Sequence, residues 1–547
     1  MRQVCPVPVK KPPATLTRPS GLSLLQHHFA ASEHNLIEMR RAGGRMRGFA
    51  KARFCTMGAE VDHLMPFLKD AKLTRRQWLA SSAGLAATAP KRPPNIIFIL
   101  ADDLGWGDLG CYGQRWIRTP SLDRMAREGM RFTDAYAGCT VCAPSRSVLM
   151  TGYHMGHTSV RANTGGIPLL DEDLTVAEVL KTAGYATGCF GKWGLGDIGT
   201  EGVPWKQGFD EFFGYLHQIH AHFYYPPYLW ENDRKVPLPG NQDGGRTTYS
   251  HDVIAERALD FIRRRRDRPF FCYVAFTIPH LELLAPEDSL AEYRGKIPED
   301  KPYRDPRDHY APQDYPRAAY AAMVTRMDRD VGRILRLLAE SGLERDTVVF
   351  FSSDNGGAGR LWGDEFFRSW GPFRGHKQNL YEGGIRVPMI VRWPGRVPAG
   401  RVSDFAWSFQ DFLPTAAELA GVKPPEGIDG ISVLPTLLGR RQAPHPYLYW
   451  ELPRYDAKTG TFPDATPMQA LRMGRWKAVR PAPGAAVELY DLARDPGETT
   501  DLAARMPELR RKLEELMAQA RTAPRPQSEP VSEWVIPRPR AVSPAKQ

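Results

Sequence analysis

The sequence predicts an α/β fold, a large, mixed but mostly parallel sheet sandwiched by helices, and two observations carry that prediction. Five apolar runs rich in β-branched and aromatic residues adjoin polar groups, and helical periodicities separate them. A third observation, the fading of that rhythm after Val397, predicts a smaller C-terminal antiparallel sheet plus a helix.

The first run, Asn95–Leu100, leads to Asp102-Asp103. Tyr185–Phe190 leads to Lys192-Trp193-Gly194, Phe270–Phe276 to His280, and Thr347–Phe351 to Asp354-Asn355. The fifth, Pro388–Trp393, follows the patch Gly375–Gly384, which carries His376 and Lys377. Helical patterns lie between them at Ser121–Glu128, Thr175–Thr182, Asp252–Arg265 and Ala319–Glu340. Runs apolar on both faces read as parallel strands covered on both sides. Open sheets of this kind bind ligands outside the carboxyl ends of their strands, which is where these polar residues fall. One active site follows from that convergence.

Further on, Ser408–Ala420 reads as a helix packing back on the main sheet. Tyr447–Glu451, Met468–Met473, Trp476–Arg480 and Val487–Tyr490 read as short antiparallel strands. Met506–Ala520 is an amphipathic helix with Leu509, Leu513, Leu516 and Met517 in one stripe. The expected organisation is a catalytic domain at 93–425, a C-terminal subdomain at 426–522, and a disordered Pro-rich tail that sets in from Arg521 and fills 523–547.

The formal charge of +11 suggests a nucleic-acid partner until it is located. Residues 1–93 hold 16 Lys/Arg against 5 Asp/Glu, while the remainder holds 57 of each. A neutral body offers no basic groove, so no nucleic-acid partner is expected. In the front segment, Arg75-Arg76 and the small-residue run Ala80–Ala89 resemble a twin-arginine export signal. That predicts a signal segment at 57–92, a periplasmic or secreted protein, and no stable membrane insertion, the run being too short and mild for a span. Residues 1–56 read as a disordered or untranslated extension, with Met57 or Met65 the true start. Seven cysteines without even spacing exclude a disulfide scaffold.

The chemistry centres on Cys139-Thr-Val-Cys142-Ala-Pro144-Ser-Arg146. Pro144 suits a first helical turn, which places Cys142 at a helix N-terminus where free N–H groups favour an anion. Arg146, one turn on, adds a fork of donors for a tetrahedral oxyanion. The other reading of this stretch is a C-x-x-C redox pair, Cys139 with Cys142. Asp102, Asp103, Asp354 and Asn355 would form an all-oxygen cage for a hard divalent ion, calcium or magnesium.

Ala-Asp102-Asp103, Cys142-x-Pro-Ser-Arg146, Gly-Lys192-Trp, Pro-His280, Asp354-Asn355-Gly and Lys377-x-x-x-Tyr-Glu-Gly-Gly occur in the order used by the sulfatases, which the chain resembles over about 94–395. Leu489–Glu498 is similar to the sulfatase C-terminal subdomain. The resemblance implies an alkaline-phosphatase-like fold and an arylsulfatase-like sulfuric ester hydrolase. It implies that a maturation enzyme oxidises Cys142 to formylglycine, whose hydroxyl is the nucleophile. Asp102, Asp103, Asp354, Asn355 and the modified Cys142 would bind calcium, and Arg146 would hold the formylglycine. Lys192 and Lys377 would bind sulfate oxygens, Asp354 would take the nucleophile's proton, and His280 or Lys377 would protonate the leaving alcohol.

One departure stands out. Sulfatases carry Gly-Lys-Trp-His-Leu-Gly, whereas this chain has Gly191-Lys192-Trp193-Gly194-Leu195-Gly196, and the missing histidine is the base that releases sulfate. His217, His220, His222 and His376 are candidates to replace it, with His220 or His222 expected to line the site. The rivals are a phosphonate or phosphate monoester hydrolase on the same fold and a sulfated-glycan-binding protein that does not turn over. The substrate is expected to be an aryl sulfate or a sulfated carbohydrate, with Phe223–Tyr228, Tyr449, Trp450 and Glu451 stacking on its rings.

Overall fold

Strand β1, Asn95–Ala101, is apolar from Ile96 onward, and both of its faces are buried. Ile97 and Ile99 join one core cluster, Ile96, Phe98 and Leu100 the other. A strand with that pattern belongs inside a two-sided sheet, at about 1.5–3 kcal/mol of hydrophobic stabilisation per large side chain. The computed structural model describes residues 92–525 apart from 266, 305–308 and 359–363. The expectations for 1–56, the signal segment and the tail beyond 525 lie outside the described residues.

The other strands of the main sheet are β2 (Met130–Phe132), β4 (Ala186–Lys192), β5 (Glu211–Tyr215), β6 (Tyr228–Glu231), β7 (Arg234–Pro237), β8 (Phe270–Ala275), β9 (Thr347–Ser353), β10 (Met389–Arg392) and β11 (Arg401–Ser403), with the short β3 (Ala135–Tyr136) and β12 (Trp407–Ser408) paired beside it. Their order is β11-β2-β10-β9-β1-β8-β4-β5-β6-β7. From β9 to β5 the pairing is parallel, with Asn95 opposite Thr347 and Ile96 opposite Phe271.

Helices Ser250–Arg264, Pro316–Glu340 and Pro120–Glu128 cover one face, and Cys142–Thr151, Val176–Thr182 and Phe412–Ala420 the other. Their ends follow local chemistry. Thr175 and Glu178 form a capping box on Val176–Thr182, and Pro120 and Pro316 occupy first turns. Phe98 stacks on Phe350 at 5.8 Å and meets Phe412 edge-on at 4.6 Å, pinning the last helix to the sheet.

Two expectations change. β10 was expected among the parallel strands but runs antiparallel to β9, Met389 opposite Ser352. The chain between them builds the site at the carboxyl end and re-enters from that same end, so the strand must run back. The fifth parallel strand is instead β5, a short run interrupted by Gly214.

Strands β13 (Leu448–Leu452), β14 (Met468–Met473), β15 (Trp476–Arg480) and β16 (Glu488–Asp491) form the antiparallel C-terminal sheet. Helix Pro507–Gln519 lays Leu513 and Met517 on it. The tail expected from Arg521 is held at its start. Arg521 donates to Glu451 at 2.7 Å, and the Thr522 carbonyl accepts from Arg161 at 2.8 Å. Two-sided burial of β13 also removes Tyr449, Trp450 and Glu451 from substrate stacking, since all three are buried in the subdomain. Among the described residues no helix is long and apolar enough to cross a membrane.

Candidate active site

The carboxyl ends of β1, β4 and β9, with the loops after β8 and before β10, meet over the N-terminus of helix Cys142–Thr151. Asp102, Asp103, Cys142 and His280 bring one ligand atom each within 4.8 Å of one another. Cys142 Sγ lies 3.4 Å from Asp102 Oδ1 and 3.5 Å from Lys377 Nζ. Lys192 donates to Asp102 at 2.7 Å, and Lys377 to Asp103 at 2.8 Å. Arg146 donates to Asp354 Oδ2 through Nε at 3.1 Å and Nη2 at 2.7 Å, while its Nη1 holds the Lys192 carbonyl at 2.7 Å. Three carboxylates thus face three cations, all buried except the partly accessible Lys377.

Backbone geometry aims these groups. Asp103 has φ +62°, a left-handed conformation that aspartate tolerates at a cost of about 1–3 kcal/mol. At Gly191 (φ +117°) a Cβ would lie 1.9 Å from the Ala275 carbonyl, so only glycine lets β4 deliver Lys192 this close to β8.

The donor set fits a hard divalent ion. Asn355 gives its amide N–H to Asp103 at 2.7 Å, and its Oδ1 is a buried acceptor with no donor among the described residues. His280 turns Nδ1 onto the Leu281 carbonyl, so Nε2 aims a lone pair at Asp103 3.4 Å away, an arrangement that a cation would relieve.

Electrostatics argue against a reactive dithiol. Burial pushes the Cys142 thiol well above its usual range, reinforced by the charges of Asp102 and Asp354. Burial likewise pushes Cys139 up to about 12, and its Sγ faces the Glu451 carbonyl at 3.6 Å. Both thiols are free and held protonated, the opposite of a redox pair. Burial, with the Asp102 charge, raises Asp354 despite Arg146, moving it toward the range of a general base.

Of the candidate histidines, the structure brings His222 to the site. Its ring stacks on His280 at 4.5 Å, and its Nδ1 lies 3.1 Å from both His309 Nε2 and the Tyr310 hydroxyl. Burial and the neighbouring His280, Lys192 and Lys377 hold His222 well below its usual value, hence neutral. His220 does not share that position: its ring packs against Tyr215 at 4.9 Å and Tyr228 at 5.0 Å, in the apolar layer of β5 and β6. His217 lies under Gly165, and His376 turns Nδ1 onto the Lys377 carbonyl at 2.8 Å.

Sequence reasoning missed His309, Tyr310 and Glu282. Buried Glu282 accepts from the backbone N–H of Tyr224 and of Ala311, tying the loop of His222 to that of His309 and Tyr310. Its position two residues past His280 was the available signal. From the aromatic segment, Tyr224 is buried and holds the carbonyls of Thr277 and His280, a positioning role in place of stacking.

The sulfatase family model matches residues 94–422, and the model for the C-terminal part of N-sulphoglucosamine sulphohydrolase matches 370–523. The chain belongs to the sulfatase family. It is a sulfuric ester hydrolase with an alkaline-phosphatase-like fold. It is 37% identical over 401 residues to N-acetylgalactosamine-6-sulfatase of Canis lupus familiaris, covering 68% of this chain and 71% of that one. Over 507 residues it is 33% identical to arylsulfatase A of Homo sapiens, covering 80% and 89%. Among solved structures it resembles Ps i-CgsB in complex with k-i-k-neocarrahexaose, with TM-score 0.64, 29% identity, and 78% and 93% coverage. The phosphonate monoester hydrolase of Agrobacterium radiobacter shares the fold, with TM-score 0.58 and 22% identity over 78% of this chain and 96% of that one.

Proposed function

We propose that this sulfatase hydrolyses the sulfate monoester of a glycan, with an aryl sulfate as a simpler substrate, through formylglycine made from Cys142. The observation that carries the reading is Cys142 itself. A thiol held protonated between Asp102 and Lys377 at a helix N-terminus is a poor nucleophile, and oxidation to an aldehyde hydrate supplies a hydroxyl in its place. Asp102, Asp103, Asp354 and Asn355, with the modified residue, would hold calcium, which supplies charge stabilisation for sulfuryl transfer.

Asp354 accepts the nucleophile's proton. Lys192, Lys377 and the helix N-terminus meet charge developing on the sulfuryl oxygens, and Arg146 keeps Asp354 and the Lys192 backbone in place. His280 faces the leaving oxygen. His222, neutral and stacked on His280, is the base in place of the histidine absent at Gly194. The glycan preference draws on the relatives, one named N-acetylgalactosamine-6-sulfatase and another solved in complex with k-i-k-neocarrahexaose. We also read the chain as exported and matured by a formylglycine-generating enzyme, with its catalytic segment at 93–425 and its subdomain at 426–522.

The test is product formed per enzyme from a chromogenic aryl sulfate, after maturation in a formylglycine-producing host, with calcium and with mass analysis of residue 142. Many turnovers with an aldehyde at 142 support the reading. A stoichiometric burst with sulfate retained makes the chain a sulfate-ester binder, and faster turnover of a matched phosphonate makes it a phosphonate hydrolase. His222→Ala is expected to lower kcat about 10²–10⁴-fold, against little change for His220→Phe.

A further inference from the structure

The space vacated at Gly194 is filled. With φ +75°, Gly194 packs so closely on Gln218 that a Cβ would lie 2.9 Å from the Gln218 amide carbon. Gln218 is 4% exposed, and its Nε2 donates to Asn163 Oδ1 at 3.1 Å. The same Oδ1 accepts the backbone N–H of Ala143 at 2.9 Å. A backbone N–H can only donate, so the oxygen of Asn163 must face it, and the nitrogen of Gln218 must in turn face that oxygen. Asn163 is therefore fixed in orientation. Its oxygen is spent on the N-terminal turn of the nucleophile helix, one residue beyond Cys142. Asn163 is an exposed residue, and its NH2 group has no acceptor among the described residues. The Oε1 of Gln218 is likewise a buried acceptor with no donor, so this amide sits where it does to hold Asn163 rather than to complete its own hydrogen bonds.

We propose that Asn163 is a specificity-determining residue whose side-chain NH2 donates to an oxygen of the sugar carrying the sulfate, with Gln218 its positioning residue. The inference rests on the reading of Cys142 as nucleophile. In that reading a donor tied to the residue after the nucleophile would serve the leaving group, Lys192 and Lys377 already serving the sulfuryl oxygens. A glycan hydroxyl or ring oxygen can accept from it, whereas 4-nitrophenyl sulfate carries neither and holds its nitro oxygens across the ring from the ester, so the contact separates the two substrate classes.

The experiment compares kcat/KM for 4-nitrophenyl sulfate with that for an oligosaccharide ending in N-acetylgalactosamine 6-sulfate. Wild type, Asn163→Asp, Asn163→Ala and Gln218→Met are each matured and assayed with calcium. Asn163→Asp keeps the oxygen that caps Ala143 and removes the donor. Its added charge acts on both substrates and cancels in their ratio. The expected result is a glycan-to-aryl ratio lowered about tenfold in both Asn163 variants, carried by KM, and lowered less by Gln218→Met. Equal losses on both substrates, or none, would overturn the proposal while leaving sulfatase activity standing. Should the wild type turn over neither substrate, the parent reading fails separately, and calorimetric affinity for the oligosaccharide reads the same contact. A tenfold loss in the uncharged Asn163→Ala then supports it, and unchanged affinity overturns it.

Discussion

Around Lys477 the carboxylates of Glu382 and Glu498 face cations and a backbone N–H. Lys477 reaches Glu382 at 2.8 Å and Glu498 at 2.9 Å. The second oxygen of Glu382 takes the Tyr136 hydroxyl at 2.7 Å and Arg386 at 2.8 Å, and that of Glu498 takes the Glu382 N–H at 2.6 Å. Although burial pushes Glu382 up, Lys477 and Arg386 outweigh it and hold the carboxyl near 2. Around Cys142 the unmet groups converge: Asn355 Oδ1 has no donor among the described residues, and His280 Nε2 is aimed at the Asp103 carboxylate. The first cluster clamps the C-terminal sheet to the loop of Glu382 and Arg386. The second is incomplete in a way that leaves it open to a cation and an anion. Neither buried charge nor a single unmet atom marks a site; unmet acceptors converging beside a nucleophile do.

The largest effect should come from Cys142→Ala, which removes the nucleophile. Turnover of aryl sulfate is expected to fall at least about 10⁴-fold, with the melting temperature unchanged or raised, read by steady-state kinetics and calorimetry. A comparable fall for Lys477→Met at unchanged stability would break the comparison. That variant should instead destabilise by about 3–5 kcal/mol through the carboxylates left unpaired, measured by urea unfolding.

Calcium sharpens the contrast. At a hundredfold excess over its Kd the ion should add about 2.7 kcal/mol to unfolding, a gain that Asp103→Asn weakens and Lys477→Met leaves intact. The smallest effect is a pH slope. Burial raises Glu282 from 4.5 to about 7. The folded state therefore binds the extra proton, and this contribution is full below about pH 4.5 and lost as pH rises through 7. Unfolding free energies between pH 5 and 8, read by urea titration, should fall with a component no steeper than about 1.4 kcal/mol per pH unit that Glu282→Gln removes.

Much of this was legible in the chain because two-sided burial writes continuous apolar runs, and strand ends write the polar residues that follow. Asp102, Lys192, His280 and Asp354 were found that way. The direction of β10 was not, since an apolar run carries no sign of which end it enters. Asn163, Gln218, His309 and Tyr310 were not, because they meet through tertiary packing at no fixed spacing. His220 and His222 share one motif, and only the turn between them decides which ring reaches His280.

Arg161 stands two residues before Asn163, and its guanidinium joins the Gly156 carbonyl, Glu451 and the Thr522 carbonyl. The segment that carries Asn163 is therefore anchored by residues 290 and 361 positions further along the chain. A chimera that exchanged the C-terminal sheet between two relatives would inherit its pairing with Arg161 only if β13 and the 521–522 segment travelled together. Substrate preference in such hybrids should follow the origin of that buckle as much as the origin of the catalytic half.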